Sequence, residues 1–195
     1  MIQARYQLPN TSPGSILREE RKCGTPLGLE AEKATSQGQL VSDEIVNAVV
    51  KNWLARHDST FVFDGYPRSL GQASALDAML TQREMALDVA LLLDADDQTI
   101  SERVERRMMC NACGRIVSVG LHISSADVPC PSCGGKLIKR LDDTPETLEL
   151  RMREYADKTK PLIGFYHQRG LLRCVDAARK PEAVFESIAK ILEGA

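Results

Sequence analysis

The sequence predicts an α/β protein, a parallel sheet flanked by helices and interrupted by one small cysteine-bearing module. Three observations carry this. Short apolar strand-like runs alternate with helical periods along most of the 195 residues, the pattern of a parallel sheet covered by helices. One run, DVALLLDAD at 88–96, is continuously apolar, as in a strand buried on both faces. Between Arg107 and Arg140 the helical period stops and Cys, Gly, Ser and Pro predominate.

The first strong element is SDEIVNAVVKNWLARH, residues 42–57. Ser42 suits an N-cap, and Asp43 and Glu44 sit at the positive end of the helix dipole. Ile45, Val49 and Trp53 recur every four residues, as do Val46, Val50 and Leu54, giving one broad apolar face. FVF at 61–63 is a short strand that runs into Asp64. SLGQASALDAMLTQRE, 69–84, is a second helix with Leu70, Ala73 and Leu76 on one side. After the 88–96 strand, DQTISERVERRM is helical with Ile100 and Val104 inward. That helix places Arg103 and Arg107 four residues apart on one face. Thr144 caps a long helix with Pro145 at its first position, and Pro161 inside the pattern predicts a kink or break. LLRCVDA at 171–177 is another strand, and PEAVFESIAKILEG closes the series, with Val184, Ile188 and Ile191 in register and Gly194 as a stop. The module at 107–140 is thus an insertion into a core formed by 1–106 and 141–195.

The totals exclude several function classes. Apolar residues make up 43% and charged residues 27%, ordinary for a soluble globular chain. A formal net charge of −2 argues against general nucleic-acid binding through phosphate neutralisation. No apolar run approaches the length of a bilayer span, which argues against membrane partners, and MIQARYQLPN has no signal-peptide core. A cytoplasmic location is the expectation. The six cysteines then suit metal or free thiols better than disulfides.

Four of those cysteines form two C-x-x-C pairs, Cys110 with Cys113 and Cys130 with Cys133, separated by sixteen residues. Each pair can aim two thiolates at one point, and Gly114 and Gly134 relieve the turns. Together they make a tetrahedral Cys₄ site for structural zinc, with no open coordination position. Iron or unligated thiols are the alternatives. Four sulfurs leave His122 no place as a ligand. Cys23 and Cys174 stand alone and are expected to be buried small apolar residues.

Two further features point to chemistry. The stretch FVFDGYPRS ends a strand in Asp64 and turns through Gly65, Tyr66 and Pro67 to present Arg68. It is either a loop in which Asp64 bonds its own backbone or a ligand site at the carboxyl end of a parallel strand. Arginines also cluster around the insertion: Arg103, Arg106, Arg107, Arg115, Arg140, Arg151 and Arg153, with Asp142 and Asp143 between the last groups. For Arg106 and Arg153 surface ion pairs suffice. The others offer planar forks of donors that suit a polyphosphate held beneath a closing lid.

The chain resembles the zinc-bearing, long-lid bacterial adenylate kinases. DGYPRSLGQA resembles the family's DGFPR…QA motif, TSPGSILR at 11–18 its STGDxLR stretch, and GQLVSDEIV at 38–46 its G-x-LV-x-DE segment. PLIGFY at 161–166 and KRLDDTPETLELR at 139–151 resemble its PL-x-x-YY and R-x-DD…R segments, and the four cysteines have its lid spacing. The resemblance implies a nucleoside monophosphate kinase-like fold, monomeric, with a zinc-ribbon lid at 107–140 and AMP-binding helices near 12–41. It implies transfer of a phosphoryl group between ATP and AMP to give two ADP, with magnesium accompanying ATP. Arg68 and Arg18 would bind the AMP phosphate and Gln72 its adenine, framed by Gln39, Leu40 and Val41. Gly65 would admit the nucleotide closely, Tyr66–Pro67 would be a cis bond, and Asp64 would help order magnesium through water. Arg103 and Arg107 would serve ATP, with Ile116, Val117 and the backbone of Lys180 near its adenine or ribose. Arg140 and Arg151 would bridge both phosphate chains.

The resemblance has departures. Pro13 and Ser15 stand where the family has threonine and aspartate, so one hydroxyl contact to AMP is absent. No G-x-x-x-x-G-K-[ST] phosphate loop occurs in the sequence. The expectation is that the gene product is an adenylate kinase and that this chain begins at an internal methionine, lacking the first strand and the phosphate loop. A catalytically inactive nucleotide-binding remnant is the alternative, and a zinc-ribbon nucleic-acid binder a third class.

Overall fold

A computed structural model describes residues 1–36, 41–57, 60–140 and 143–194. In chain order the elements are α1 (Ile2–Tyr6), β1 (Asn10–Thr11), α2 (Pro13–Lys22), α3 (Pro26–Ser36), α4 (Asp43–Leu54), β2 (Val62–Phe63), α5 (Leu70–Thr81), β3 (Ala90–Asp94), α6 (Asp97–Glu105), β4 (Arg107–Cys110), β5 (Ile116–Ser118), β6 (Leu137–Ile138), α7 (Pro145–Glu154), a π-helical turn (Tyr155–Thr159), α8 (Pro161–Gln168), β7 (Leu172–Asp176) and α9 (Pro181–Glu193). They form two compact units. One comprises Met1–Leu92, Tyr155–Arg173 and Phe185–Ala195, the other Leu93–Glu154 and Cys174–Val184. The second unit contains the whole 107–140 insertion together with α6 and α7.

In the first unit, α4 begins as its sequence dictates. The Ser42 hydroxyl accepts from the Ile45 N–H, and Asp43 and Glu44 occupy the first turn. Its apolar face then buries Val46, Val49, Val50, Trp53 and Leu54. They pack with Ile16 of α2, Leu76 and Leu80 of α5, and Tyr66. Each such side chain contributes roughly 1.5–3 kcal/mol by leaving water. Trp53 stacks on His57 with ring centroids 3.8 Å apart and meets Phe61 edge-on. On α5 the inward residues are Ala73, Leu76 and Leu80, whereas Leu70 is exposed, because at helical spacing it points away from the direction those three share. At the end of the chain, Arg5 and Tyr6 both donate to Glu193 and tie α1 to α9.

The core strands pair as β1 with β2, in parallel, and β3 with β7. The apolar run of β3 is less covered than its composition predicts, and Leu93 is 54% exposed. Among the described residues β3 has a single strand neighbour, so one edge and part of its face lack cover. Cys23 and Cys174 are also exposed rather than buried. Cys23 caps the end of α2 in a turn, and Cys174 falls on the outward side of β7, next to buried Val175.

In the second unit, Asp96 caps α6 by accepting from the Thr99 N–H at 2.7 Å. The helix stops at Glu105, three residues earlier than its period predicts. Arg107 therefore opens β4 opposite Ser118 and does not share a helix face with Arg103. The reason is alternation: Met108 and Cys110 point inward, into a small core with Val117, Cys130 and Leu137. Period two with those partners outweighs the helical reading. β4 is the centre of an antiparallel sheet, β5-β4-β6. Thr144 caps α7 by accepting from the Thr147 N–H. The break expected at Pro161 is present: the chain passes through the π-helical turn and restarts as α8 with Pro161 in its first turn. Among the described residues, no helix is long and apolar enough to cross a membrane.

Candidate active site and metal centre

The DGYPRS turn leaves the carboxyl end of β2. The Asp64 N–H continues the parallel pairing by donating to Thr11 O at 2.8 Å, and its side chain is exposed. Gly65 then takes φ +69°, and the Tyr66–Pro67 bond is cis. Tyr66 turns inward, 6% exposed, and its hydroxyl donates to Asn47 Oδ1 at 2.9 Å. Burial, then the charges of Tyr166 and Asp43, push its phenol well above the ordinary value. That anchor leaves Pro67 half-buried and Arg68 exposed. The Arg68 Nε donates to Gly65 O at 2.8 Å, and a Cβ on Gly65 would lie 2.7 Å from Arg68 Nη2. Glycine here makes room for the guanidinium itself. Thr159, from the π-helical turn, donates to Arg68 O at 2.9 Å.

Behind Arg68 lies a network that sequence reasoning missed. Ser69 caps α5 by accepting from the Gln72 N–H at 3.1 Å. The Ser69 hydroxyl in turn donates to Asp43 Oδ2 at 2.5 Å. Gln72 is 6% exposed. Its Nε2 donates to Asp43 Oδ1 at 2.6 Å, and its Oε1 accepts from the Arg68 backbone N–H at 2.7 Å. The S-x-x-Q spacing is a capping-box signal, but the glutamine side chain turns to Asp43 across 29 residues of sequence.

Arg18 projects from α2, which Ser12 caps. Its Nη2 donates to Ser15 Oγ at 2.9 Å, and Ser15 Oγ also pairs with Ser12 Oγ at 3.0 Å. The residue that replaces the expected aspartate thus holds the arginine. Val41 packs half-buried against the first unit's core. Gln39 and Leu40 lie outside the described residues.

The second unit gathers most of the other predicted groups. Arg103 Nη2 donates to Ala177 O at 2.6 Å and to Arg179 O at 3.3 Å, which brings it to the loop that leads to Lys180. Arg107 and Arg151 both pair with Asp143 Oδ1, at 3.3 and 3.6 Å. The Asp143 side chain is fully buried and those guanidinium groups are only partly so. One carboxylate thus gathers two arginines. Arg140 is half-buried just before it in sequence. On β5, Ile116 is exposed while Val117 is buried in the lid core, so Val117 can offer a ligand only its backbone. Arg106 and Arg153 form i,i+4 surface pairs with Glu102 and Glu149, the ordinary role expected of them.

The four cysteine sulfurs all lie within 4.8 Å of one another. Cys110 and Cys133 are 3.4 Å apart, and Cys113 and Cys130 3.8 Å. A tetrahedron with Zn–S bonds of about 2.3 Å has edges of about 3.8 Å. The knuckle backbones favour thiolate: the N–H groups of Cys113 and Ala112 draw the Cys110 thiol down to about 6. Those of Ser132 and Cys133 lower Cys130. The Gly135 N–H acts the same way on Cys133, but hydrogen bonds shared with Cys113 and Cys110 push that thiol up to about 12. A cation removes this competition, so the donor set fits zinc. His122 is engaged elsewhere, its Nδ1 accepting from the Ser118 N–H at 3.1 Å.

Comparison with known proteins decides the family. A family model described as adenylate kinase matches residues 1–171. The adenylate kinase of Thermodesulfovibrio yellowstonii is 39% identical over 191 residues, covering 97% of this chain and 89% of the relative. That of Clostridium perfringens strain SM101 is 40% identical over 193 residues, covering 98% and 89%. That of Syntrophomonas wolfei is 37% identical over 195 residues, covering 99% and 91%. The chain belongs to the adenylate kinase family. Its class is therefore nucleoside monophosphate kinase. As in the long-lid adenylate kinases that the sequence resembles, its four cysteines can hold zinc.

Proposed function

We propose that this chain serves the transfer of a phosphoryl group between ATP and AMP, giving two ADP. Arg68 and Arg18 take the AMP phosphate, and Gln72 meets its adenine beside residues 39–41. Gly65, Tyr66 and Pro67 form the turn that presents Arg68. Arg103 and Arg107 take ATP phosphates, and Ile116, the Val117 backbone and the Lys180 backbone lie along its adenosine. Arg140 and Arg151 are assigned to the phosphates that exchange. Such transfer needs little covalent chemistry from the protein, so positioning and charge stabilisation carry it. Magnesium bound with ATP supplies further charge neutralisation, and Asp64 is the residue assigned to order it through water. Zinc in the four-cysteine site is structural. The core is assigned to 1–106 and 141–195, and the lid to 107–140.

The observation that carries this reading is the turn after β2. The positive-φ Gly65 turns the chain so that an exposed guanidinium stands at the carboxyl end of a parallel strand, with a buried amide four residues on. The test is a coupled ADP assay with ATP and AMP. These 195 residues contain no G-x-x-x-x-G-K-[ST] run, and arginines alone do not replace a backbone phosphate cradle. A polypeptide of these residues alone is therefore expected to show no measurable turnover. The same polypeptide extended by a strand and a G-x-x-x-x-G-K-[ST] loop should show it. Absence of turnover in the extended form would overturn the proposed activity.

A further inference from the structure

An amide side chain can read a purine in two opposite senses. With its oxygen toward position 6 and its nitrogen toward position 1, it matches adenine, which donates from N6 and accepts at N1. Rotated by half a turn, it matches a 6-oxo purine, which accepts at O6 and donates from N1. Glutamine has nearly the same shape in both orientations, so by itself it discriminates weakly. Discrimination requires that something hold the amide one way round.

Gln72 is held one way round by partners of fixed polarity. A carboxylate only accepts and a backbone N–H only donates. Asp43 Oδ1 lies 2.6 Å from Nε2, and the Arg68 N–H points at Oε1 from 2.7 Å. Rotation of the amide would face its oxygen to a carboxylate and its N–H₂ to another donor. Asp43 is itself fixed by the Ser69 hydroxyl at 2.5 Å on its other oxygen, and it sits on the first turn of α4. Gln72 is buried, so water does not readily substitute for either partner. After these two bonds the amide keeps one N–H and one oxygen lone pair, the complement of one purine edge.

We propose that Asp43 is a specificity-determining positioning residue: by locking the Gln72 amide, it makes the monophosphate site select a 6-amino over a 6-oxo purine. This rests on the reading that Gln72 meets the base. Asp43 touches no substrate and acts only through Gln72. Sites that depend on hydrogen-bond polarity discriminate strongly because the wrong partner leaves buried groups unpaired.

The experiment is equilibrium titration of the full chain with AMP and with IMP, for wild type, Asp43→Asn, Asp43→Glu and Gln72→Ala. Asparagine keeps the shape and can still accept from Ser69, but it can present either polarity to Gln72. Asp43→Asn should weaken AMP and strengthen IMP, lowering the preference about tenfold, the size of one hydrogen bond. Asp43→Glu, which keeps an acceptor, should retain most of the preference. A role confined to stability would shift both nucleotides together and leave their ratio unchanged, and that result would overturn the proposal. If Asp43→Asn does not fold, Asp43→Ala takes its place, since it removes the fixed acceptor and leaves the Gln72 amide free to turn. A lowered ratio then supports the lock and an unchanged one overturns it. Gln72→Ala separates the two layers of inference. If it leaves AMP affinity and the ratio intact, Gln72 does not meet the base and both readings fail. If it abolishes the preference while Asp43→Asn does not, only the role of Asp43 fails. No AMP binding by the wild-type chain would remove the reading of Gln72 and this inference with it.

Discussion

Alanine at Gly135 is the sharpest probe of the sulfur cluster. A Cβ built there lies 2.9 Å from Cys110 Sγ, 3.3 Å from Cys133 Sγ and 2.9 Å from Ala112 Cβ. Non-bonded heavy atoms attract best at about 3.5–4.0 Å, so two of these contacts are repulsive and fall on or beside metal ligands. The backbone of Gly135 is not left-handed, so the substitution adds crowding without backbone strain. Overpacking by one methyl costs typically ~1–3 kcal/mol. Borne wholly by the metal site, that lowers zinc affinity on the order of 5- to 150-fold. The assay is competition for zinc against a chromophoric chelator. Gly134→Ala is the control: its φ is +72° and nothing lies within 4 Å of an added Cβ, so it strains the backbone without touching sulfur. Gly135→Ala should lose clearly more zinc affinity than the control. Wild-type zinc affinity in Gly135→Ala would refute the reasoning, because the sulfurs could not then be converging on one ion as drawn.

Other expectations follow from the same geometry. Cys130→Ser replaces a ligand in the lid core, so bound zinc measured by elemental analysis should fall below one per chain, with a lower Tm, since metal-binding energy is folding energy. Zinc lost with no change in Tm would contradict this. In a form that turns over, Arg68→Lys keeps the charge but loses the planar fork, and kcat should fall by on the order of 10²–10³. Normal turnover and AMP affinity would remove Arg68 from the site. Gly65→Ala should raise the Kd for AMP about tenfold or more, because the new Cβ displaces the guanidinium and the residue must hold a positive φ. An unchanged Kd, measured by calorimetry, would show that the guanidinium position is immaterial.

What was legible in the sequence was local or repeated. The α4 face could be read because apolar residues recur at helical spacing and Ser42 announces the start. The Cys₄ cluster could be read because two identical spacings converge on one chemistry. Arg107 was misplaced because a helical period ran on past Glu105, while the alternation that claims it depends on Val117 and Leu137, far along the chain. The exposure of Leu93 could not be read from an apolar run, because coverage depends on how many strands flank β3. Asp43 was legible as a helix-start acid, yet its side chain serves Gln72. Only the fold brings the amino ends of α4 and α5 together, and no periodicity reports that.

The knuckle geometry has a consequence for the lid without its ion. Cys113 and Cys133 are exposed, whereas Cys110 and Cys130 are buried, so an oxidant in solution meets one sulfur of each knuckle first. Each of these lies close to a buried sulfur of the opposite knuckle, Cys113 to Cys130 at 3.8 Å and Cys133 to Cys110 at 3.4 Å. A sulfenic acid formed on the exposed member can therefore condense with a thiol across the site, releasing water and closing a bridge between knuckles. Such a bridge preserves the lid's shape while occupying the sulfurs that zinc needs. Protein purified with chelator in air would then look folded, refuse zinc, and recover it only after a reductant.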